Sequence, residues 1–209
     1  MIHVKHVIAD AADVGVKLHV AGAGRLQAFA GLLGGRAVSL GLVAESDRDR
    51  VYERHVLDCL RAVPAFRPRD LSAYDLGSGA GLPGIVLACA LPDRRFRLVE
   101  PKRRAAAFLE LVVERLGLEN AQVLIQRVED LAEPADVVTA RAFAPLERAW
   151  AAAWPLLRPG GRLVYFAGAG LTSPEDAARS AGEPEPPSSV DLIPQVASGP
   201  PLVIMSRGG

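Results

Sequence analysis

Lysine is nearly absent from this chain. Of 24 basic side chains only Lys5, Lys17 and Lys102 are lysine, the other 21 being arginine, and 24 acidic side chains bring the formal net charge to zero. A neutral molecule has no global field to draw it onto nucleic acid or an anionic membrane, so any polyanion contact must come from local patches of fork-shaped arginine donors. Cysteine is equally sparse. Cys59 and Cys89 are too few and too far apart for a disulfide framework or a zinc knuckle, and their apolar helical settings predict reduced core thiols. No run approaches the ~18 apolar residues of a membrane span, and the opening Met1-Ile2-His3-Val4-Lys5 is not a signal segment. The expectation is a soluble, cytoplasmic chain. His3 and His6 stand without companion ligands, so no metal site is expected.

What the chain does have is apolar substance: half of its 209 residues are hydrophobic and 23% are charged, ordinary proportions for a folded core. Residues 1–70 read as a helical N-terminal segment. Apolar groups fall at helical spacing over 7–20 and 25–33, with Gly22, Gly24, Gly34 and Gly35 as breakers. Ser46-Asp47-Arg48-Asp49 resembles a capping box before a helix carrying Tyr52, His55, Val56, Cys59, Leu60 and Val63.

Residues 71–209 read as a second unit in which short apolar runs alternate with helices. Strands are predicted at 72–76, 95–99, 121–126, 135–140 and 161–167, and helices at 83–91, 102–116 and 145–157. This order implies right-handed crossovers and an α/β fold with a mainly parallel sheet covered on both faces. Arg158-Pro159-Gly160-Gly161 reads as a turn before the fifth strand. Residues 171–209 hold 7 of the 16 prolines. There, 174–189 reads as a Pro-rich loop, and the apolar runs 190–196 and 201–205 as an antiparallel pair closing the sheet edge.

The most informative stretch is Tyr74-Asp75-Leu76-Gly77-Ser78-Gly79-Ala80-Gly81-Leu82-Pro83-Gly84, where a strand turns through glycines into a helix. Gly79, Gly81 and Gly84 match the dinucleotide fingerprint formally, but Asp75 would repel a pyrophosphate. S-adenosylmethionine, with an ammonium and a sulfonium and no phosphate, suits an acidic strand end better. Glu100, ending the next strand, is placed to accept hydrogen bonds from a ribose diol. Val128-Glu129-Asp130 follows the third strand, where an acid and backbone groups can meet an adenine. The plainer alternative for each acid is a helix cap or a surface position.

"DLGSGAGLPGIVLA" at 75–88, "ERHVLDC" at 53–59 and "TARAFAPL" at 139–146 together resemble the small-subunit ribosomal RNA methyltransferase G family, also called glucose-inhibited division protein B. The resemblance runs from about residue 48 to 168. It implies a class I methyltransferase, Rossmann-like, that uses S-adenosylmethionine to methylate N7 of a guanine in the decoding-region loop of 16S rRNA, in the small ribosomal subunit. The family's cofactor contacts fall on Gly77, Leu82, Val128, Glu129 and Arg141, and Asp75, Gly79, Gly81 and Glu100 complete the expected cofactor site. Arg141 would position reactants at the methyl-transfer point, unless it forms a salt bridge to Glu129 or Asp136. Phe143 either stacks on an extruded base or packs at a helix start. Arg54 and His55 match a basic-His pair of the family, His55 either bonding loop backbone or touching substrate. Lys102, Arg103 and Arg104 open a helix where cations oppose the dipole, which favours an RNA contact, a solvated surface run being the alternative.

The chain also departs from the family. Its fifth strand ends in Ala167-Gly168 where the family has Lys-Gly, and Ser39-Leu40-Gly41-Leu42 keeps little of the family's Asn-Leu-Thr pattern. A methyltransferase with a small-molecule or protein substrate, or a member without turnover, therefore stands as the alternative. No membrane or DNA partner is expected. Residues 1–70 carry 10 bases and 8 acids, 71–170 carry 12 and 11, and 171–209 carry 2 and 5. So small a basic excess predicts weak binding to free RNA and a preference for the folded ribosomal particle.

Overall fold

The computed structural model describes residues 3–168, 173–174, 176–177, 185–193 and 201–209. Strands β1 (Ser72–Leu76), β2 (Arg95–Val99), β3 (Ala121–Leu124), β4 (Ala135–Arg141) and β5 (Leu157–Phe166) run parallel in one sheet. Two antiparallel strands, β6 (Ser189–Ile193) and β7 (Leu202–Ser206), complete the order β3-β2-β1-β4-β5-β7-β6. The antiparallel pair read at 190–196 and 201–205 is thus present, although residues 194–196 and much of the Pro-rich loop lie outside the described residues.

The chain steps outward from β1 to β2 and β3, then returns to place β4 on the other side of β1. That reversal opens a crevice at the carboxyl ends of β1 and β4, the place where open α/β sheets take their ligands. Alternate residues serve two cores, as a period of two requires. Ala73, Phe96, Leu98, Val137 and Val164 join the side built from α1 (Val4–Asp13), α2 (Val20–Leu32), α4 (Gly84–Ala90) and α5 (Arg103–Leu116). Tyr74, Leu76, Val138, Ala140 and Leu163 join the side of α6 (Leu146–Ala153) and its buried Trp150. Packing is continuous across residue 70, because Val7, Leu26 and Phe29 belong to the same cluster as Ile85, Leu109 and Val164. Asp70 and Arg162, both buried, pair there as well.

Several local expectations change. Residues 14–19 are not helical: α1 ends at Asp13, and Gly15 turns the chain at φ +77°. Gly22 and Gly24 lie inside α2, and Gly34 and Gly35 inside a π-turn, Leu33–Ala37, so none of the four breaks a helix. Ser46-Asp47-Arg48-Asp49 sits in a 3-10 turn, Glu45–Arg50, with no side-chain cap, and leads through a π-turn, Tyr52–Leu57, into α3 (Asp58–Leu60). Asp47 is drawn away from capping by two side chains described below. Arg158–Gly160 belongs to β5, where the register with β4 shifts between Ala135 and Val137 and Gly160 takes φ +73°, a bulge and not a separate turn.

Gly22 explains why α2 tolerates a poor helix former. A Cβ there would stand 2.6 Å from the Cys89 carbonyl oxygen, whereas one at Gly24 would meet nothing within 4 Å. Backbone cannot yield as a side-chain tip can. Gly22→Ala is therefore expected to destabilise by about 1–3 kcal/mol through overpacking, and Gly24→Ala to stabilise by up to about 1 kcal/mol through helix propensity. Urea denaturation of the two variants checks the opposite signs.

Candidate cofactor and substrate cleft

The crevice at the β1/β4 reversal is a cavity of about 360 Å³, within the ~300–1,000 Å³ of small-molecule sites. The glycine loop supplies one wall through Gly77, Ser78, Gly79, Ala80 and Leu82. Gly77, Gly79 and Gly81 all take positive φ, at +64°, +53° and +88°, a conformation that side chains disfavour. Leu42, Val43, Ala44, Asp47 and His55 supply a second wall, and Arg141 and Ala142 complete the lining.

Two buried acids brace the loop. Asp75 Oδ2 accepts the Gly84 N–H at 3.1 Å, and Oδ1 accepts the Thr139 hydroxyl at 2.8 Å. Glu100 Oε2 accepts the Gly79 N–H at 3.0 Å, and Oε1 accepts the Lys102 N–H at 2.9 Å. Asp75 is 1% exposed and does not line the cavity, so in this structure it works as a loop brace. Burial pushes its carboxyl up to about 6, against the hydrogen bonds from Thr139 and Gly84 that lower it. Glu100 reaches the loop beside the cavity. A carboxylate offers about four lone-pair directions, of which two are used here.

Arg141, at the end of β4, is the most heavily contacted cation of the site. Its NH1 donates to Cys59 Sγ at 3.2 Å, and its NH2 lies 3.1 Å from His55 Nδ1 and 3.2 Å from Asp58 Oδ2. The guanidinium also stands over the Phe166 ring at 5.6 Å. The ion-pair partner is therefore Asp58, not Glu129 or Asp136. Glu129 is exposed beyond β3, and Asp136, at the opposite end of β4, pairs with Arg158 at 2.8 Å. Among the described residues His55 bonds no loop backbone. Its Nε2 lies 3.0 Å from Asp47 Oδ2, and Arg54 meets the other Asp47 oxygen at 2.6 Å.

Of the residues read from sequence, the fold brings Gly77, Gly79, Leu82, His55 and Arg141 to the cavity. Gly81 faces away, since a Cβ there would meet Ile85. Val128 and Glu129 occupy a 3-10 turn, Val128–Asp130, where Val128 packs against the α6-side core. Phe143 is half-buried in that core and rests on Gly77, whose Cβ would lie 2.9 Å from its Cδ2. Lys102, Arg103 and Arg104 are exposed at the start of α5, on the carboxyl edge that holds Glu100. Cys59 and Cys89 are buried and free, as expected of core thiols. Sequence reasoning missed Asp47 as a site residue, together with Leu42–Ala44 and Ala142. Ala142 takes φ +52°, unusual for a side chain and frequent where strain serves a site.

A family profile described as rRNA small subunit methyltransferase G matches residues 23–180. Curated relatives named ribosomal RNA small subunit methyltransferase G include those of Nocardioides sp., 43% identical over 72% of this chain and 60% of the relative, and Clavibacter sepedonicus, 40% identical over 80% and 77%. That of Salinispora tropica is 40% identical over 87% of each chain. Among solved structures, a methyltransferase from Pyrococcus furiosus superposes with a TM-score of 0.58 at 14% identity, covering 73% of this chain and 83% of that one. A Thermus thermophilus 16S rRNA methyltransferase solved with S-adenosylmethionine and guanosine gives 0.54 at 18% identity, over 74% and 43%. These two likenesses bear on the fold alone.

Asp75 carries a prediction with a definite sign. Its native carboxyl value, about 6, lies above the ordinary ~3.9, so the folded state holds more protons between those values and stability falls as pH rises from about 4 to about 6. Asp75→Asn, which keeps an acceptor for Gly84, is expected to lose that slope and to melt at or above the parent temperature at pH 7.5. Thermal melts across pH 4–8 test it, and an unchanged slope would reject the assignment.

Proposed function

The chain belongs to the rRNA small subunit methyltransferase G family, and on that premise we propose that it transfers a methyl group from S-adenosylmethionine to N7 of a guanine in the decoding-region loop of 16S rRNA. The observation that carries the reading is the cavity at the β1/β4 reversal, walled by positive-φ glycines and faced by Arg141. Its residues fit the cofactor: Gly77, Ser78 and Gly79 bring loop backbone to the cavity lining, and the Glu100 carboxylate retains acceptor directions for a ribose diol. Gly77, Gly79 and Leu82 would hold the amino acid end, and Val128 and Glu129 stand at the neighbouring strand end for the adenine. When bound, the cofactor supplies an electrophilic methyl on a cationic sulfur.

Guanine N7 has a lone pair and no proton, so no general base is needed. That lone pair would take the methyl the bound cofactor supplies, the charge passing from sulfur to the purine, so the chain's own residues need only hold the two in line. His55 is engaged on both nitrogens, which suits a site that works by in-line positioning. Arg141 acts as an orienting cation whose charge Asp58 already balances, so it need not oppose the cationic product strongly. Phe143 lies beneath Gly77, and its contact with a base would follow only a rearrangement of that turn.

Ala167, at the family's lysine position, is buried and donates its N–H to the Pro201 carbonyl, so it offers no cation. Lys102, Arg103 and Arg104 are exposed cations on the same edge, and we assign them the phosphate contact.

Undermethylated small-subunit particles incubated with labelled S-adenosylmethionine are expected to yield N7-methylguanine in the digested 16S rRNA. Binding of S-adenosylhomocysteine without methyl on rRNA would leave a methyltransferase of another substrate. Replacing Lys102, Arg103 and Arg104 together by serine is expected to raise KM for particles about tenfold and to flatten the salt dependence by roughly two log units per log salt. The affinity for S-adenosylhomocysteine, measured by calorimetry, should stay the same.

A further inference from the structure

The cavity wall opposite the glycine loop contains a chain of contacts that cofactor binding and methyl transfer leave without a task. Asp47, 7% exposed in its 3-10 turn, faces His55 Nε2 at 3.0 Å, and His55 Nδ1 faces Arg141 NH2 at 3.1 Å. A guanidinium has only donors, so the nitrogen facing it must offer a lone pair. The imidazole proton then sits on Nε2 and is donated to Asp47. Both neighbours demand the same neutral tautomer.

We propose that Asp47 and His55 are positioning residues for Arg141, with Asp47 fixing the Nε2–H tautomer so that Nδ1 accepts from the guanidinium and holds it against the cofactor. Protonation of Nδ1 removes that acceptor and sets two cations face to face. Cofactor binding therefore weakens in acid. The inference rests on the reading that the cavity holds S-adenosylmethionine beside Arg141.

The surrounding charges bear this out in sign. Arg141 approaches His55 from β4, Asp47 from the 3-10 turn, and Arg54 and Asp58 lie on the segment of His55 itself; Asp58 also bridges Arg141 to Arg61. Burial first, then the Arg141 charge, holds the imidazole below its ordinary value, while Asp47 pulls the other way. A depressed imidazole is neutral above the ordinary value, so the contact is intact there and is lost as pH falls through the native one. The neighbouring Cys59 thiol, pushed by burial up to about 12, stays protonated throughout. Asp58 is a second contact of Arg141, so the loss is graded.

By linkage, a ligand that needs neutral His55 makes its protonation harder. The test is calorimetric titration of the full chain with S-adenosylhomocysteine from pH 5 to 8, alongside NMR of the histidine ring protons. The expected result is constant affinity above about pH 6.5 and a fall of about tenfold below, with the His55 resonance titrating at lower pH when ligand is present. His55→Gln presents an amide N–H and a carbonyl oxygen in the same sense and cannot titrate. It should bind more tightly at neutral pH than His55→Phe and lose the acid fall. His55→Phe should bind about tenfold more weakly at every pH while melting as a folded protein. Asp47→Asn, which removes the anion that favours protonation, should move the fall to lower pH. An acid fall that persists in His55→Gln, or its absence in the parent, overturns the proposal. Failure of the parent to bind S-adenosylhomocysteine at any pH would instead overturn the cofactor reading beneath it.

Discussion

Two buried carboxylates at the ends of neighbouring parallel strands hold the glycine loop in shape, and the site depends on that brace. Asp75 reaches forward to the first residue of α4, and Glu100 reaches sideways from β2 to Gly79. Backbone N–H groups in a loop this buried must find acceptors, and a loop rich in glycine has little side-chain packing to steady it. The carboxylates supply the acceptors at fixed distance because β1 and β2 are locked in register from Ser72↔Arg95 to Leu76↔Val99. The two carboxylates hold the loop in one shape, which spares binding the cost of ordering it. Burial of Asp75 is the accompanying cost, visible in its raised carboxyl value.

The helical N-terminal segment is one wall of the cleft and not an appendage. The close approach of α2 to α4 at Gly22 joins the segment to the core of the sheet. That docking brings Asp47, His55, Asp58 and Cys59 to the end of β4, some eighty residues away in the chain. Arg141 consequently meets four groups from one segment and the aromatic face of Phe166 from β5. A cation so surrounded has one orientation, where an arginine on an open strand end would have many.

Legibility in the sequence followed distance along the chain. The five parallel strands and their crossovers were readable because apolar alternation and turn residues act over a few positions, and their ends moved by only a few residues. The glycine loop and the strand-end acid Glu100 were readable for the same reason. Asp47 was misread as a cap because Ser-Asp-Arg-Asp before an apolar helix has the local form of one. Its real partners, Arg54 and His55, lie seven and eight residues on and meet it only because the chain winds through a 3-10 turn and then a π-turn. Gly22 of α2 was misread as a breaker because a break and a close helix contact call for the same residue.

The sequence by itself determined the parallel α/β sheet, the loop that can face a cofactor and the family the chain belongs to, since these rest on periodicity and on motifs of contiguous residues. Tertiary structure decided which acids face inward as braces and that Asp58, not Glu129 or Asp136, balances Arg141. It also decided that the tautomer of His55 is set from both sides. Those outcomes depend on where distant backbones dock, and a carboxylate or imidazole has no role until packing decides which donor stands within hydrogen-bond reach of it.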